Sequence, residues 1–496
     1  MTAYQTLEVR SQRVADIGGA LAILGWDSRT MMPRGASEVR GDQIATLEQM
    51  AHEIVTAPDV ADLLDEAESE AEKLDPWQAA NLRKMRRSQR RAAAVDPALV
   101  SALAKATNRA EMTWRDACVR ADFAALLPDL DQVFKLTRER AAALGQAFDL
   151  SPYDALLDGF ELGLRRSAVD PIFDQLANFL PDFLEKALTS QKKPMPIEGP
   201  FPATKQKALG EALMAALGFD FNQGRLDESQ HPFCGGTSDD VRITTRYDES
   251  ELTSALMAVL HETGHALYSA GLPKAWRGQP VGSSLGMAVH ESQSLLIEMQ
   301  ICRSREFLTF LSPRLAEAFG ERAAFGAENL YRDAIWVERG FIRVDADEIT
   351  YPLHIILRYR LEQALLSGDL ALADLPGAWK EGMADLLGIT PPDDAQGCLQ
   401  DIHWQGGAIG YFPCYTLGAI TAAQLYEAAS AAEAARGEAI AEGDFQELLG
   451  WLRANVHEQG ARFDMQTLLV RTTGRELEIT PYLAHLERRY MPPPGG

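Results

Sequence analysis

Apolar residues along this chain recur mostly at helical spacing, and the most strand-like stretch is short. From Thr2 to about Ala187 the pattern reads as helix almost throughout, carried by Ala, Leu, Glu and Arg and punctuated by prolines at 33, 58, 76, 97, 128, 152, 171 and 181. Lys192 to Pro202 (KKPMPIEGPFP) has the length of a loop inside a domain, and a helix from about Ala203 to Leu217 follows. Asp240 to Tyr247 (DVRITTRY) reads as a strand, with Asp240, Arg242 and Thr244 projecting from one face. Ser254 to Ala270 (SALMAVLHETGHALYSA) returns to helix formers without proline. A loop rich in glycine, proline and serine, Gly271 to Gly286, separates it from a second helix that opens with His290-Glu291-Ser292-Gln293. Glu328 to Leu366 reads as helical with an interruption at Pro352, and Gly406 to Gly418 (GGAIGYFPCYTLG) as an active-site-like turn. The rest is helical up to a tail, Pro492 to Gly496, expected to fray. The expectation is a mainly α protein with a little sheet near the middle of the chain.

Composition narrows the function classes. A net charge of −23 over 496 residues argues against a nucleic-acid partner and suits a soluble cytoplasmic enzyme. Cys118, Cys234, Cys302, Cys398 and Cys414 are scattered and odd in number, which fits reduced thiols rather than a disulfide framework. The N-terminus lacks the apolar core of a signal peptide, and no run approaches membrane-spanning length. The basic run Leu82 to Ala94 (LRKMRRSQRRAAA) reads as a solvated helix face making ion pairs.

Candidate chemistry concentrates in His261-Glu262-Thr263-Gly264-His265, an H-E-x-x-H motif in a chain with only 9 histidines. Positions four apart share a helix face, so His261 and His265 can hold one zinc ion while Glu262 beside them takes a proton from the attacking water. Such sites need a third protein ligand. Tyr268 and Gly271 stand where the continued H-x-x-G-x-x-H pattern would put its glycine and histidine, so the third ligand comes from elsewhere, most plausibly a carboxylate on the following helix. Glu291 and Glu298 are seven apart and can share a face, and spacing leaves both open. Arg343 and Asp347, four apart, read on their own as an exposed helix ion pair.

Taken together, these segments resemble the carboxypeptidase Taq family of zinc metallocarboxypeptidases. The motifs that carry the likeness are His231-Pro232-Phe233, Asp240-x-Arg242-x-Thr244, His261-Glu262-x-x-His265, His290-Glu291-Ser292-Gln293, Ile342-Arg343-x-x-Ala346-Asp347 and Gly397-x-x-Gln400-Asp401-x-His403-Trp404. The Gly410-Tyr411-Phe412-Pro413 turn extends it, as does the early region Trp26-Asp27 with Met32-Pro33.

The resemblance implies one large helical peptidase domain over residues 1–496, with a deep substrate groove like that of neurolysin and angiotensin-converting enzyme and a small sheet on the groove wall. Residues 1–230 would form wall and lid, 231–420 the zinc and substrate motifs, and 421–496 C-terminal helices. It implies a homodimer, Zn2+ with Co2+ as a substitute, and Glu291 as the third ligand. No carboxylate to hold a zinc histidine from behind is identified, because Leu295 occupies the position thermolysin-like enzymes give to aspartate.

The reaction it implies is release of single residues from peptide C-termini, with Glu262 as base and then acid. Tyr411, Tyr415 and His403 are the candidate oxyanion donors. Arg343, aimed by Asp347, is the candidate partner of the terminal carboxylate. His231, Asp240, Arg242 and Gln400 are expected to position the groove wall or the substrate backbone. His290 is expected to contact substrate or stand behind the metal ligands, and His52, His354, His457 and His485 to be structural. The rival readings are an oligoendopeptidase of the same fold and, more remotely, a non-catalytic zinc-binding protein.

Overall fold

The computed structural model describes residues 1–491; the Pro492 to Gly496 tail lies outside them. The chain is mainly helical with a single three-stranded sheet among the described residues. Its contacts group it into two compact units, each assembled from separate stretches of sequence. No described helix is long and apolar enough to cross a membrane.

The first unit comprises Met1–Ala92, Lys193–Ala334 and Thr421–Leu477. Its opening helix, Ala3–Arg29, starts on a capping box in which Thr2 and Gln5 satisfy each other's backbone amides. Tyr4 and Leu7 of this helix pack with Val60, Leu64, Leu82 and Met85. The basic run lies on the helix Pro76–Ala94, where Arg86 pairs with Asp65 and Glu68 of the neighbouring helix Val60–Ser69.

The sheet consists of β1 (Gly224–Glu228), β2 (Phe233–Thr237) and β3 (Asp240–Thr245), ordered β1-β3-β2. β1 runs parallel to the central β3 and β2 antiparallel. Leu226, Val241 and Ile243 turn inward onto Phe219, Met214, Val259 and Ala266, which seats the sheet on the helix Thr253–Gly271. Arg225 of β1 and Arg242 of β3 lie on the indole of Trp26, 5.2 and 4.2 Å from it, so these two strands hold the opening helix in place.

The second unit comprises Ala93–Lys192, Ile335–Ile420 and the C-terminal residues from Glu478. The helices Pro97–Arg120 and Phe123–Phe148 share a core of Leu103, Ala110, Val133 and Leu136. The helix Thr350–Ser367 is buried along most of its length, polar residues included. The last helix, Thr480–Tyr490, is tied to buried Glu348 through Arg489 (2.9 Å) and Tyr490 (2.8 Å).

Two sequence expectations are corrected here. Glu328 to Leu366 is not one interrupted helix. A short helix, Ala327–Ala334, is followed by irregular chain with a 3-10 turn at Arg343–Asp345, and Thr350–Ser367 starts afresh. Pro352 falls in its first turn, where the missing amide costs nothing. Likewise Pro128, Pro171 and Pro181 lie inside helices instead of ending them.

Candidate active site

The helix Thr253–Gly271 places His261 and His265 one turn apart, with ring centroids 5.0 Å from each other. Donor atoms of His261, His265 and Glu291 all lie within 4.8 Å of one another. The Nε2 atoms face the Glu291 carboxylate at 3.8 and 3.6 Å. The Nδ1 atoms turn away, that of His261 to Glu298 at 2.9 Å and that of His265 to the His290 carbonyl at 3.1 Å. Each imidazole is therefore fixed with Nε2 inward. Two imidazole nitrogens and one carboxylate around a common gap are a donor set that could hold a divalent metal ion with a coordination position left free.

Glu291 reaches this gap because its helix, Met287–Leu295, packs unusually close to the motif helix. The point of approach is Gly264, where a Cβ would sit 2.6 Å from backbone atoms of Gln293 and Ser294. Beyond Leu295 the chain widens into a π-helical turn, Leu296–Cys302, a form that recurs at functional sites. Glu298 on this turn is the carboxylate behind His261, and Arg303 holds it at 2.6 Å. The two glutamates that spacing left open thus take different places, Glu291 inside the donor set and Glu298 outside it. Glu298 is also the acceptor that sequence alone does not identify.

Glu262 is buried beside these groups and bonded by the backbone of Cys234 on the edge strand β2. Burial pushes its carboxyl up to about 7, although His261 pulls the other way. Burial would lower His261, but the Glu298 bond and the charges of Glu291, Glu298 and Glu262 raise it to about 10. Glu298 is held down at about 2, since Arg303 and His261 outweigh burial. Burial keeps His265 well below its usual value and brings His290 to about 4. Three carboxylates around one imidazole make a site whose field favours a cation.

The other expected residues of this unit do not line up as ligands. His290 stacks on His265 at 4.4 Å. Asp240 and Arg242 pair with each other at 2.9 Å, and His231 is exposed.

The second unit contains a separate cluster. Arg343 is 5% exposed, with Nε and Nη2 on Asp401 Oδ1 (2.9 and 2.7 Å) and Nη1 on the Tyr351 hydroxyl (2.7 Å). The expectation that Asp347 aims it is corrected. Asp347 spends its carboxylate on the amides of Glu338, Ile349 and Thr350 and on the Thr350 hydroxyl, because it caps the start of the helix Thr350–Ser367. Gln400 fixes the arginine's backbone instead, its Oε1 accepting from the Arg343 amide at 2.8 Å. Asp401 Oδ2 accepts from Arg358 Nε at 2.6 Å. His403 Nε2 lies 3.0 Å from the Tyr415 hydroxyl, and Tyr411 packs edge-on against Tyr415 at 5.2 Å. Burial brings His403 down to about 4, so its ring is neutral.

Asp401, Arg358 and Glu298 were not assigned site roles by sequence reasoning. Asp401 stands inside a quoted motif, between Gln400 and His403. For Arg358 no signal existed beyond a charge in an apolar helix.

Comparison with known proteins agrees with this geometry. A family model described as carboxypeptidase Taq (M32) metallopeptidase matches residues 6–490. Thermostable carboxypeptidase 1 of Thermus thermophilus is 39% identical over 503 residues, covering 98% of either chain. The structure of Trypanosoma cruzi metallocarboxypeptidase 1 superposes with a TM-score of 0.97 at 39% identity over 99% of both chains. That of the M32 carboxypeptidase from Deinococcus radiodurans R1 gives 0.94 at 36% identity over 98% of both.

Proposed function

This chain belongs to the carboxypeptidase Taq (M32) metallopeptidase family and is a metal-dependent carboxypeptidase, and we propose that zinc is its metal and that it removes peptide residues singly from the C-terminus. The observation that carries the reading is the buried Glu262 beside the His261, His265 and Glu291 donors. When bound there, a divalent ion supplies Lewis acidity toward water and the scissile carbonyl; cobalt is a chemically reasonable substitute for zinc.

Glu262 then does the proton work. A carboxyl pushed up to about 7 is matched to accepting a proton near neutral pH and returning it to the leaving amine. Glu298 and the His290 carbonyl keep both imidazoles oriented while this happens. We assign Tyr411, Tyr415 and His403 to the developing oxyanion, since phenol and neutral imidazole N–H groups donate without adding charge. Arg343 is assigned to the substrate's terminal carboxylate, for which a guanidinium fork is the fitting partner. Gln400 supports Arg343 through its backbone. His290 stands behind His265, and Asp240, Arg242 and His231 shape the sheet region. We further read the chain as one peptidase acting as a homodimer in the cytoplasm. The dimer rests on family likeness, and the location is consistent with five free cysteines.

Timed mass spectrometry of an unstructured peptide tests the reaction. The wild type should give a ladder losing one residue at a time from the C-terminus, and Glu262→Gln should lower the rate by roughly 10²–10⁴ while retaining metal. Internal fragments would make the enzyme an endopeptidase and overturn the reading.

A further inference from the structure

Arg358 is a buried arginine of the second unit that has no part in the reaction as described so far. It is fully buried, with its guanidinium over the Trp379 ring at 4.5 Å and Phe412 at 5.5 Å. Nε donates to Asp401 Oδ2 at 2.6 Å and Nη1 to the His354 carbonyl at 2.8 Å, while Nη2 has no partner. A guanidinium so placed is costly to bury, and a helix needs none at that position.

What it does to Asp401 is specific. Alone with Arg343, Asp401 would grip the guanidinium with both oxygens and neutralise it, leaving little reason for another anion to bind. With Arg358 holding Oδ2, only Oδ1 meets Arg343, and it meets the Nε–Nη2 edge. The Nη1–Nη2 edge then points elsewhere, with the Tyr351 hydroxyl beside Nη1. Arg343 makes two side-chain hydrogen bonds, from Nε to Asp401 and from Nη1 to Tyr351, and Nη2 adds an ion-pair contact with Asp401, so N–H groups on the Nη1–Nη2 edge remain for a further acceptor.

Charge leads to the same place. Two guanidinium groups share one carboxylate, so the bonded trio carries one positive charge in excess. The neighbouring imidazoles add nothing to it: His403 and His354 are brought down by burial to about 4 and about 3 and stay neutral. Glu362, one helical turn from Arg358 and bonded to Tyr153, Trp404 and the Gly410 amide, is pushed up to about 7 by burial and so offsets only part of that charge near neutral pH.

We propose that Arg358 is the positioning residue of a carboxylate site: acting through Asp401, it orients Arg343 to present its Nη1–Nη2 edge and leaves the cluster one positive charge for an incoming carboxylate to neutralise. The inference rests on the reading of Arg343 as the partner of the substrate's terminal carboxylate. An alternation of two cations and two anions, one of them the substrate's, completes the cluster.

Steady-state kinetics of the metal-loaded enzyme on a blocked peptide acid test it, with inhibition by a non-cleavable peptide acid and by its C-terminal amide measured in parallel. Arg358→Met should raise KM and the acid's inhibition constant by ~10-fold or more, with kcat changed less than about 2-fold. The amide's inhibition constant should not move. Arg358→Lys, which keeps the charge but not the Nε geometry, should fall between Arg358→Met and wild type, and Asp401→Asn, which loosens the aim of Arg343 but keeps both positive charges, should weaken the acid selectively but less than Arg358→Met does. Asp401→Asn carries the decision if the Arg358 variants do not fold. Equal weakening of acid and amide, or a loss confined to kcat, would show a merely structural residue and overturn the inference. Arg343→Met separates the two readings. If it leaves the preference for acid over amide intact, the carboxylate reading falls and this inference with it; if that preference is lost but folded Arg358→Met matches wild type, only this inference falls.

Discussion

At the scale of single residues, the candidate metal site depends on one imidazole lying between two carboxylates of unlike duty. Glu291 faces Nε2 of His261 and Glu298 holds Nδ1 at 2.9 Å. Removing the outer charge while keeping its shape should therefore loosen the metal without touching a ligand. Glu298→Gln is expected to weaken zinc binding roughly 10–100-fold, read by competition with a chromogenic chelator, and an affinity equal to wild type would deny Glu298 this role. The sequence showed both glutamates but not their division of labour, because residues seven apart share a helix face and only the position of the facing helix separates them. Arg343 and Asp347 mislead for a related reason. Their i,i+4 spacing means an ion pair only if the segment is helical, and here it is irregular chain that presents Asp347 to a helix start and Arg343 to Asp401.

Among elements, the decisive contact is the one between the two ligand-bearing helices at Gly264. With a Cβ, the backbone of Gln293 and Ser294 would have to withdraw from 2.6 Å, carrying Glu291 away from the histidines. Gly264→Ala should cost about 1–3 kcal/mol by denaturant unfolding and also weaken zinc in the chelator assay. Wild-type values in both would mean the helices can separate without consequence. A glycine inside H-E-T-G-H gives no such hint in the sequence. The sheet was legible only in part for a similar reason. β3 alternates with branched residues, whereas β2 is Phe-Cys-Gly-Gly-Thr, and its Gly236 takes a φ of +90° that strand patterning does not anticipate. Prolines 128, 171 and 181 punctuate the helical pattern in the sequence, yet tertiary packing keeps those helices running through them.

For the molecule as a whole, the helical character was legible from apolar spacing. The partition into two units was not, because each gathers distant stretches through long-range packing that no local pattern encodes. Both units bury neutral histidines, and this sets how the fold should respond to acid. Burial brings His354 and His457 down to about 3 and His403 to about 4. Unfolded, each would titrate near ~6.5, so as pH falls the unfolded chain takes up these protons first. Stability from these groups is thus complete above ~6.5 and drains away between there and ~4, by about 1.4 kcal/mol per pH unit for each histidine. Asp401 and Glu298, both held below their usual range by neighbouring arginines despite burial, also contribute above the unfolded carboxylate value and weaken the fold only below about pH 4. Glu262 and Glu362, both raised to about 7, act in the opposite sense over the same range but are outnumbered by these histidines and His290, so the thermal midpoint of the metal-free protein should fall from pH 6.5 to 4.5. His457→Gln keeps a donor for Gln293 but cannot take up a proton, so its midpoint should change less over the same range. A wild-type midpoint flat across that window would show that these rings are not held neutral by the fold.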